Sequence, residues 1–429
     1  MARSRTISDV TLIRNAAVLG TTPARRDALS LVDAALEAID TKKVLTQAVA
    51  VHGDVITVGG HAFDTSDYRS VRVVGFGKAA CDAAAALEEI LGEHITSGTI
   101  VGTSPGTCER IAVYTGTHPR PTFGNVQVTE HLIRECENLT EDDLVIVVVS
   151  GGGSALLCWP MTECEQGSRL YHDAVEKGLT IHELNTVRKH ISRIKGGGLA
   201  EVLWPARVLG LILSDVPGPA HHMVASGPTY RDHTTIADAQ AILDRYGLKG
   251  YDLIETPKDE RLFERITNIV AVSNRTALAA MERRARELGY RPAVVADHVY
   301  AEPKDVLQML TEYNGHHDVL IAGGEFRLIV PTHSGKGGRN TNATLTAMER
   351  IGADDLFLSF ASDGLDNTDA AGAIADAATR EKAKARGLKV RDFLASFNDY
   401  TFFEETSDLL FTGPTGSNVS DLMFLMRGT

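Results

Sequence analysis

One recurring pattern restricts the fold of this chain more than any other feature. A short apolar run is followed by a turn of glycine or small polar residues and then by a longer segment. In several places the apolar residues of the longer segment recur with the period of a helix. The apolar runs cover residues 71–74, 144–149, 208–213, 269–272, 319–322 and 356–360. Runs of this length, rich in β-branched residues and separated by helical segments, are typical of βαβ units and mainly parallel sheets. The chain is therefore predicted to be an α/β protein whose ligands bind at the carboxyl ends of the strands.

The length of 429 residues predicts more than one domain. A polar stretch with a proline, between about residues 300 and 317, separates two βα series. We therefore expect an α/β domain over residues 1–305 and a second, smaller one over residues 306–429.

Charge and cysteine usage exclude several classes of protein. The formal net charge of -13 argues against nucleic acid as the main partner, because phosphate backbones need a basic surface. The five cysteines form no CxxC pair, which argues against a zinc cage or a disulfide framework. No signal-type apolar run follows the N-terminus, and no run is long enough to span a bilayer. We expect a cytoplasmic protein with no membrane partner.

The first candidate loop follows the apolar run 71–74 and reads Gly75-Phe76-Gly77-Lys78-Ala79-Ala80, which fits the G-x-G-x-x-A dinucleotide pattern in its weak form. That pattern also needs an acidic residue about 20 positions further on, and the segment 97–104 has none. Lys78 stands where a helix begins, which is unfavourable unless an anion is present. We interpret it as an anion-binding lysine, with a solvated surface lysine as the alternative.

Two further loops are rich in glycine. Three glycines after a buried strand let several N–H groups approach a phosphate or carboxylate, as in the sequence Ser150-Gly151-Gly152-Gly153-Ser154. The other loop contains an arginine, a rigid bidentate donor for the same anions, and reads Gly335-Lys336-Gly337-Gly338-Arg339-Asn340. The alternatives are a structural turn for the first loop and a flexible hairpin tip for the second.

Acidic and basic side chains near these loops are the remaining candidates. Asp215 and Asp363 follow apolar runs, where a carboxylate suits Mg²⁺ or can accept the proton of a substrate hydroxyl. A helix is predicted from the apolar stripe at residues 184, 187, 191 and 194, and it ends at the glycines 196–198. Arg188 and Lys195 lie on another face of that helix.

Three groups of anion-binding residues with scattered aspartates fit phosphoryl transfer, which needs mainly positioning and neutralisation of charge. A serine hydrolase is disfavoured because the chain has no G-x-S-x-G motif and no persuasive Ser/His/Asp set. A zinc hydrolase is disfavoured because no HExxH spacing occurs.

Read in order, these blocks resemble the type-2 glycerate kinases, the family with a C-terminal MOFRL domain. The resemblance runs from about residue 28 to the C-terminus. The matching blocks lie at residues 74–80, 150–157, 185–190, 195–197, 214–216, 225–229, 323–325, 337–340, 361–364, 368–372 and 412–416.

The resemblance implies a Rossmann-like N-terminal domain, a smaller MOFRL-type domain and an active site in the cleft between them. It implies ATP, Mg²⁺ or another divalent metal, and conversion of D-glycerate to 2-phosphoglycerate. The two basic residues that this family is thought to use most directly correspond to Lys78 and Arg339. The oligomeric state is left open, with a homodimer as one alternative.

The complete set of expected site residues combines the loops with this resemblance. The expected roles are catalysis by Lys78, Arg339 and Asp215; binding of the nucleotide by Ser150, Gly151, Gly152, Gly153, Ser154, Gly337 and Gly338; binding of the hydroxy acid by Arg188, Lys195, Asn340 and Asp363; and binding of the metal by Asp215 and Asp363.

Three departures from the family pattern bear on the substrate. The family usually continues Gly-Gly-Arg-Asn with Gln-Glu, where this chain has Thr341-Asn342. It usually has Gly-Asp where this chain has Gly218-Pro219, and the segment 366–369 is one residue shorter. A kinase for a four-carbon acid, of the erythronate or threonate type, is therefore one alternative. An NAD(P)-dependent hydroxypyruvate reductase and a non-catalytic sensor of sugar acids are the others.

Overall fold

A computed structural model describes residues 11–331 and 334–428, so the start of the N-terminal segment lies outside the described residues. The strands are β1 (Val49–His52), β2 (Val55–Val58), β3 (His61–Asp64), β4 (Ser70–Phe76), β5 (Ser97–Gly102), β6 (Ile111–Thr115), β7 (Asp143–Ser150), β8 (Arg207–Leu213), β9 (Ile266–Val272), β10 (Pro292–Ala301), β11 (Val319–Phe326), β12 (Leu356–Ala361), β13 (Gly372–Ala375), β14 (Leu409–Leu410) and β15 (Asp421–Met426).

Helices occur between most of these strands. The α-helices are α1 (Ala16–Leu19), α2 (Pro23–Ala38), α3 (Thr41–Ala48), α4 (Ala80–Leu91), α5 (Phe123–Glu135), α6 (Gly153–Leu156), α7 (Met161–Lys177), α8 (Ile181–His190), α9 (Gly198–Leu203), α10 (Ile236–Tyr246), α11 (Asn274–Glu287), α12 (Pro303–Thr311), α13 (Arg339–Ala347), α14 (Ala377–Ala385), α15 (Val390–Ala395) and α16 (Asp399–Thr406). Within the described ranges, no helix is both long and apolar enough to cross a membrane.

The chain forms two compact units. Unit 1 draws its described residues from Met1–Asp40, Val216–Pro219 and Val272–Thr429, and unit 2 comprises Thr41–Asp215 and Ala220–Ala271. The boundary predicted from the sequence, between residues 305 and 306, lies inside unit 1. It falls in α12, the crossover helix that connects the parallel pair β10 and β11.

Unit 2 is built on a six-stranded sheet in the order β6-β5-β4-β7-β8-β9. The pairs β5/β6, β4/β5, β4/β7 and β7/β8 are all parallel, which confirms the predicted βαβ architecture. Every residue of the central strand β7 is buried. The carboxyl ends of β4, β7 and β8 therefore lie side by side at one edge of the sheet.

A small antiparallel sheet, in the order β1-β2-β3, was not predicted. Its strands have only four residues each, and apolar and polar residues do not alternate regularly along them. The sequence therefore gives little periodic signal for these strands.

Helix α8 is shorter than predicted. It ends at His190, so Lys195 does not lie on the same helix as Arg188. The hydroxyl oxygen of Ser192 accepts hydrogen bonds from the N–H groups of Ile194 and Lys195, at 3.2 and 3.1 Å. This local bonding gives the backbone an alternative to continuing the helix.

Unit 1 contains the second six-stranded sheet, in the order β10-β11-β15-β12-β13-β14. Only β10 and β11 pair in parallel; β15 lies antiparallel between β11 and β12, and β13 and β14 continue antiparallel. The sheet is thus mixed rather than mainly parallel, because the last strand of the chain inserts at its centre. Apolar clusters involving α12 and α13 and involving α13 and α16 are also buried in this unit.

Helix α2 belongs to unit 1 and carries the buried Arg25. Nε and Nη2 of Arg25 donate to the two oxygens of Asp376, both at 2.7 Å, and Nη1 donates to Asp408 Oδ1 at 2.7 Å. The bidentate geometry and the second carboxylate compensate the buried charge. This cluster fixes the N-terminal helix to the C-terminal part of the chain.

Replacing Arg25 with methionine should strongly destabilise unit 1. The change leaves Asp376 and the fully buried Asp408 without their guanidinium, and breaking a buried ion pair on one side costs about 3–5 kcal/mol. Arg25→Lys should recover little, because an ammonium cannot form the bidentate contact. Urea unfolding followed by circular dichroism measures the effect. Arg26→Met, which removes an exposed neighbour, is the matched control; equal midpoints for the two methionine variants would contradict the expectation.

Candidate active site

The turns after β4 and β7 are in direct contact. Gly77 has φ = 125°, and a β-carbon there would lie 2.0 Å from Ser150 Oγ, so only glycine fits. The N–H of Lys78 donates to the carbonyl of Gly151 at 2.8 Å, and the N–H of Ala79 donates to Ser150 Oγ at 3.2 Å. The two loops predicted separately from the sequence are therefore one structure.

Lys78 lies against the Gly-rich turn. Gly152 has φ = 79° and caps α6, and a β-carbon on it would stand 3.1 Å from Lys78 Cγ. The same position would stand 3.0 Å from Cδ2 of His118. The missing side chain thus makes room for the lysine stem and the imidazole. Gly153 faces the core instead, against Phe76 and Ala225.

Asp215 approaches the same turn from β8. A β-carbon on Gly151 would lie 2.1 Å from Asp215 Oδ2, so the carboxylate rests directly against the backbone of Gly151. The structure therefore brings together Lys78, Asp215 and the turn 150–154 within unit 2. The cation and the glycine-rich backbone at this sheet edge can hold an anionic ligand, and the carboxylate beside them can accept a proton or bind a metal ion.

Beside this turn is a cavity of about 210 Å³. It is smaller than the roughly 300–1,000 Å³ of pockets for drug-sized ligands. Its lining includes polar and charged groups from several elements of unit 2, namely His118, Arg120, Ser154, Glu163, Tyr171 and Arg188.

Among the described residues, Arg188 is one of two arginines that line this cavity. Its Nη1 donates to Asn185 Oδ1 at 2.9 Å, and the Ser226 hydroxyl donates to the same oxygen at 3.2 Å. Ser226 is in turn 2.9 Å from the hydroxyl of Ser154, so a polar chain connects α8 with α6. Burial lowers the pKa of Arg188, which indicates that its charge is poorly solvated. An anionic ligand would relieve that cost.

Lys195 does not line the cavity. It is 1 % exposed; its ammonium pairs with Glu163 and donates to the carbonyl of Leu157 at 2.7 Å. Lys195 is therefore not placed for the direct contact with substrate that the sequence predicted, because its ammonium is already paired with the Glu163 carboxylate.

In unit 1, Arg339 is the first residue of α13. Its Nη1 lies 3.1 Å from Glu325 Oε1, and its Nε lies 3.4 Å from Asp421 Oδ2. The side chain is 41 % exposed, so the guanidinium is oriented by two carboxylates and still reaches solvent. An arginine held in this way keeps donors available for a further anion.

The N-terminus of α13 is already occupied by carboxylates, contrary to the phosphate-binding role expected for Gly337 and Gly338. The N–H of Gly338 donates to Asp399 Oδ2 at 3.2 Å, and the N–H groups of Asn340 and Thr341 donate to Asp366 at 3.0 and 2.9 Å. The glycines are needed because β-carbons on Gly337 and Gly338 would lie 2.2 and 2.0 Å from Asp399 and Asp366.

Asn340 also has internal partners. Its Nδ2 donates to Asp366 Oδ1 at 3.1 Å and to Asp421 Oδ1 at 3.0 Å, and its Oδ1 accepts from the Ser359 hydroxyl at 2.5 Å. Because the residue is fully buried and every polar atom of its side chain is engaged, it supports Arg339 rather than contacting a ligand.

The departures at Thr341 and Asn342 have the same explanation. Thr341 Oγ1 donates to Asp399, and Asn342 Nδ2 donates to Asp399 Oδ1 at 3.3 Å. Both residues are buried. The carboxylates that sequence reasoning missed, Asp366 and Asp399, therefore account for them. Pro219, which belongs to the second departure, is exposed and follows Gly218 at φ = 72°.

Asp363 lies in the turn after β12, in unit 1. Its Oδ1 accepts from the N–H of Leu365 at 3.2 Å, and its carbonyl accepts from the N–H of Thr415 at 3.1 Å. Within residues 11–331 and 334–428, no three or more His, Cys, Asp or Glu side chains form a group that could hold a metal. Mg²⁺ in kinases typically takes only one or two carboxylates with phosphate oxygens and water. Asp215, which lies against the turn at Gly151, fits that requirement.

Most of the site residues missed by the sequence carry no local signal. His118 lies in a loop, Glu163 and Tyr171 lie on α7, and Ser226 lies in the segment after β8, and only the fold brings them to the cavity or to the polar chain beside it. Asn185 was detectable, because it precedes Arg188 by three positions and so shares its helix face.

Comparison with known proteins gives consistent results. A model described as a domain of unknown function (DUF4147) matches residues 27–256, and the MOFRL family model matches residues 318–421. The glycerate 2-kinase of Pyrococcus horikoshii is 34% identical, over 93% of this chain and 96% of its own length. A putative hydroxypyruvate reductase of Agrobacterium vitis is 33% identical, over 90% of this chain and 94% of its own. The structure of glycerate kinase from Thermotoga maritima has a TM-score of 0.81 at 29% identity, covering 94% of this chain and 98% of that one.

The carboxyl of Asp421 should make stability depend on pH. Burial raises its pKa to about 7, although Arg339 opposes the shift. In the unfolded chain an aspartate titrates near pH 3.9, so between about pH 4 and 7 the folded state holds the extra proton. Stability is therefore lost as pH rises through that window, by at most about 1.4 kcal/mol per pH unit.

Asp421→Asn removes this titration. The unfolding free energy of the variant, minus that of the wild type, should therefore increase from pH 4 to pH 7 and then level. Denaturant unfolding at a series of pH values measures it. Asp318→Asn is the control. Because Arg291 lowers the pKa of Asp318, the difference in unfolding free energy between this variant and the wild type should stay constant from pH 4 to pH 7. A flat difference for Asp421→Asn as well would contradict the assignment.

Proposed function

The chain belongs to the glycerate 2-kinase family with a C-terminal MOFRL domain, and on that premise we propose that it transfers the γ-phosphoryl group of ATP to the 2-hydroxyl of D-glycerate. The observation that carries the proposal is the convergence of Lys78, Asp215 and the turn 150–154 beside a small cavity that contains Arg188. Phosphoryl transfer needs this combination of positioning and positive charge.

Each residue near the turn has a defined part in the proposed reaction. The turn 150–154 and Lys78 hold the phosphates of ATP, and Arg188 holds the carboxylate of D-glycerate in the cavity. Asp215 accepts the proton of the attacking hydroxyl as the new O–P bond forms and the bond to the leaving ADP breaks. Mg²⁺, when bound through Asp215, would screen the charge of the phosphates.

Arg339 is the second basic residue to which we assign a role in the proposed reaction. Glu325 and Asp421 fix its guanidinium, so its orientation is set before a ligand arrives. Such preorganisation favours stabilisation of charge that develops on a phosphoryl group.

D-Glycerate is favoured over a four-carbon acid. The substitutions at Thr341 and Asn342, which suggested a changed acceptor, are explained by internal hydrogen bonds to Asp399. The reductase alternative is weakened because β5 ends at Gly102 and is followed by Thr103 and Ser104, with no acidic residue to hold a ribose.

Purified protein with Mg-ATP should release ADP with D-glycerate and form 2-phosphoglycerate. The acceptor panel should include L-glycerate, hydroxypyruvate, tartronate, erythronate and threonate. Turnover only with a four-carbon acid would replace the acceptor but keep the kinase. NADH oxidation with hydroxypyruvate, or binding of an acid without ADP release, would overturn the proposal in favour of a reductase or a sensor.

Lys78→Met should reduce kcat by about a hundredfold or more, because it removes a charge expected to stabilise the transferring phosphoryl group. Lys42→Met is a matched control from the same unit, since Lys42 is 61% exposed and pairs with Glu89 on the surface. ADP release and circular dichroism should be measured together. Full turnover by a correctly folded Lys78→Met protein would show that this lysine is not part of the machinery.

A further inference from the structure

A buried ion pair lies directly behind the cavity. Lys195 and Glu163 are 1% and 3% exposed, and their charged groups are in contact. Burying both charges costs free energy that their attraction barely repays. The reason for burying this ion pair is therefore sought in the residues that surround it.

Glu163 has a full set of donors, and Arg188 is not one of them. Its Oε2 accepts from the N–H of Trp159 at 2.9 Å and from the Ser192 hydroxyl at 2.6 Å, while Oε1 contacts Lys195. Glu163 and Arg188 nevertheless line the same cavity and interact electrostatically.

Arg188 has most of its hydrogen-bonding capacity left over. Its guanidinium has five N–H donors. In the part of the chain that the structure describes, its only hydrogen bond is to Asn185 Oδ1, and it forms no salt bridge. A half-buried guanidinium with a carboxylate close by would ordinarily pair with it. Here Glu163 pairs with Lys195 instead.

We propose that Lys195 promotes binding of the acceptor acid indirectly, by neutralising Glu163 and so keeping the guanidinium of Arg188 available for the acceptor's carboxylate. This inference rests on the proposed function and deepens it. The cavity becomes the carboxylate subsite, Arg188 its ligand-binding residue, and Lys195 a positioning residue. Without Lys195, the Glu163 carboxylate would turn to Arg188 and compete with the substrate.

The two partners of the ion pair should have opposite effects, which a merely structural role would not produce. Lys195→Met should raise the KM for D-glycerate by about tenfold or more, with a smaller effect on kcat and on the KM for ATP. Glu163→Gln should leave the KM for D-glycerate unchanged or lower it. The double variant should return it to within about threefold of the wild type, because the competing charge is gone.

A matched control is available one residue beyond Arg188. Lys189→Met also removes a lysine paired with a buried carboxylate, Asp232, at 2.5 Å, but Asp232, unlike Glu163, is not among the residues that line the cavity, so this variant should not change the KM for D-glycerate. Circular dichroism and thermal unfolding should accompany each variant. If Lys195→Met does not fold, Glu163→Gln still tests the inference: a lower KM for D-glycerate supports it, and a higher KM overturns it.

Three results would overturn the inference: an increase of KM in both single variants, failure of the double variant to recover, or an equal change in the KM for ATP. Failure of the proposed function has a different signature, namely no ADP release by the wild type. In that case calorimetric titration with D-glycerate tests the subsite alone, with weaker binding by Lys195→Met and recovery in the double variant supporting it and equal binding by all proteins overturning it.

Discussion

The contact between the turns after β4 and β7 is the constraint on which the candidate site depends. Ser150 fills the space that a side chain on Gly77 would take, and its hydroxyl oxygen accepts a hydrogen bond from the N–H of Ala79. This contact fixes the backbone at Lys78 and, through Gly152, the path of the lysine stem. Because both turns leave neighbouring parallel strands, their register is set by the sheet and not by the loops. The reactive groups are thus supported by the most buried part of unit 2.

Sequence reasoning predicted the βαβ pattern, the strand ends that carry Lys78 and Asp215, and the placement of Arg188, because each has a periodic or local signal. It erred where an internal anion took the place expected for a ligand. The N–H groups at the start of α13 are suited to any carboxylate or phosphate. Nothing near Gly338 in the sequence indicates that Asp366 and Asp399, which come 28 and 61 residues later, would occupy them.

The same difficulty applies to the cations. From the sequence, a basic residue near a glycine-rich loop looks equally suitable for a ligand whether it has no carboxylate partner, like Arg188 in the described structure, or is paired internally, like Lys195. The difference depends on the position of Glu163, which lies on α7 and is 32 residues from Lys195. In a chain of net charge -13, most basic groups have carboxylates available to them. The informative cations are those whose carboxylate neighbours are neutralised or shared, as with Arg188 and Arg339.

The cluster around Arg25 has a consequence for how the protein is made. Its partners Asp376 and Asp408 follow it by 351 and 383 residues, so helix α2 leaves the ribosome long before the carboxylates that compensate its buried guanidinium. All of unit 2 is synthesised in the interval. Domains tend to fold as they emerge from the ribosome. Unit 2 is therefore expected to reach its native state before the residues that cover the apolar face of α2 have been synthesised. Chaperone demand during synthesis would then arise from helix α2.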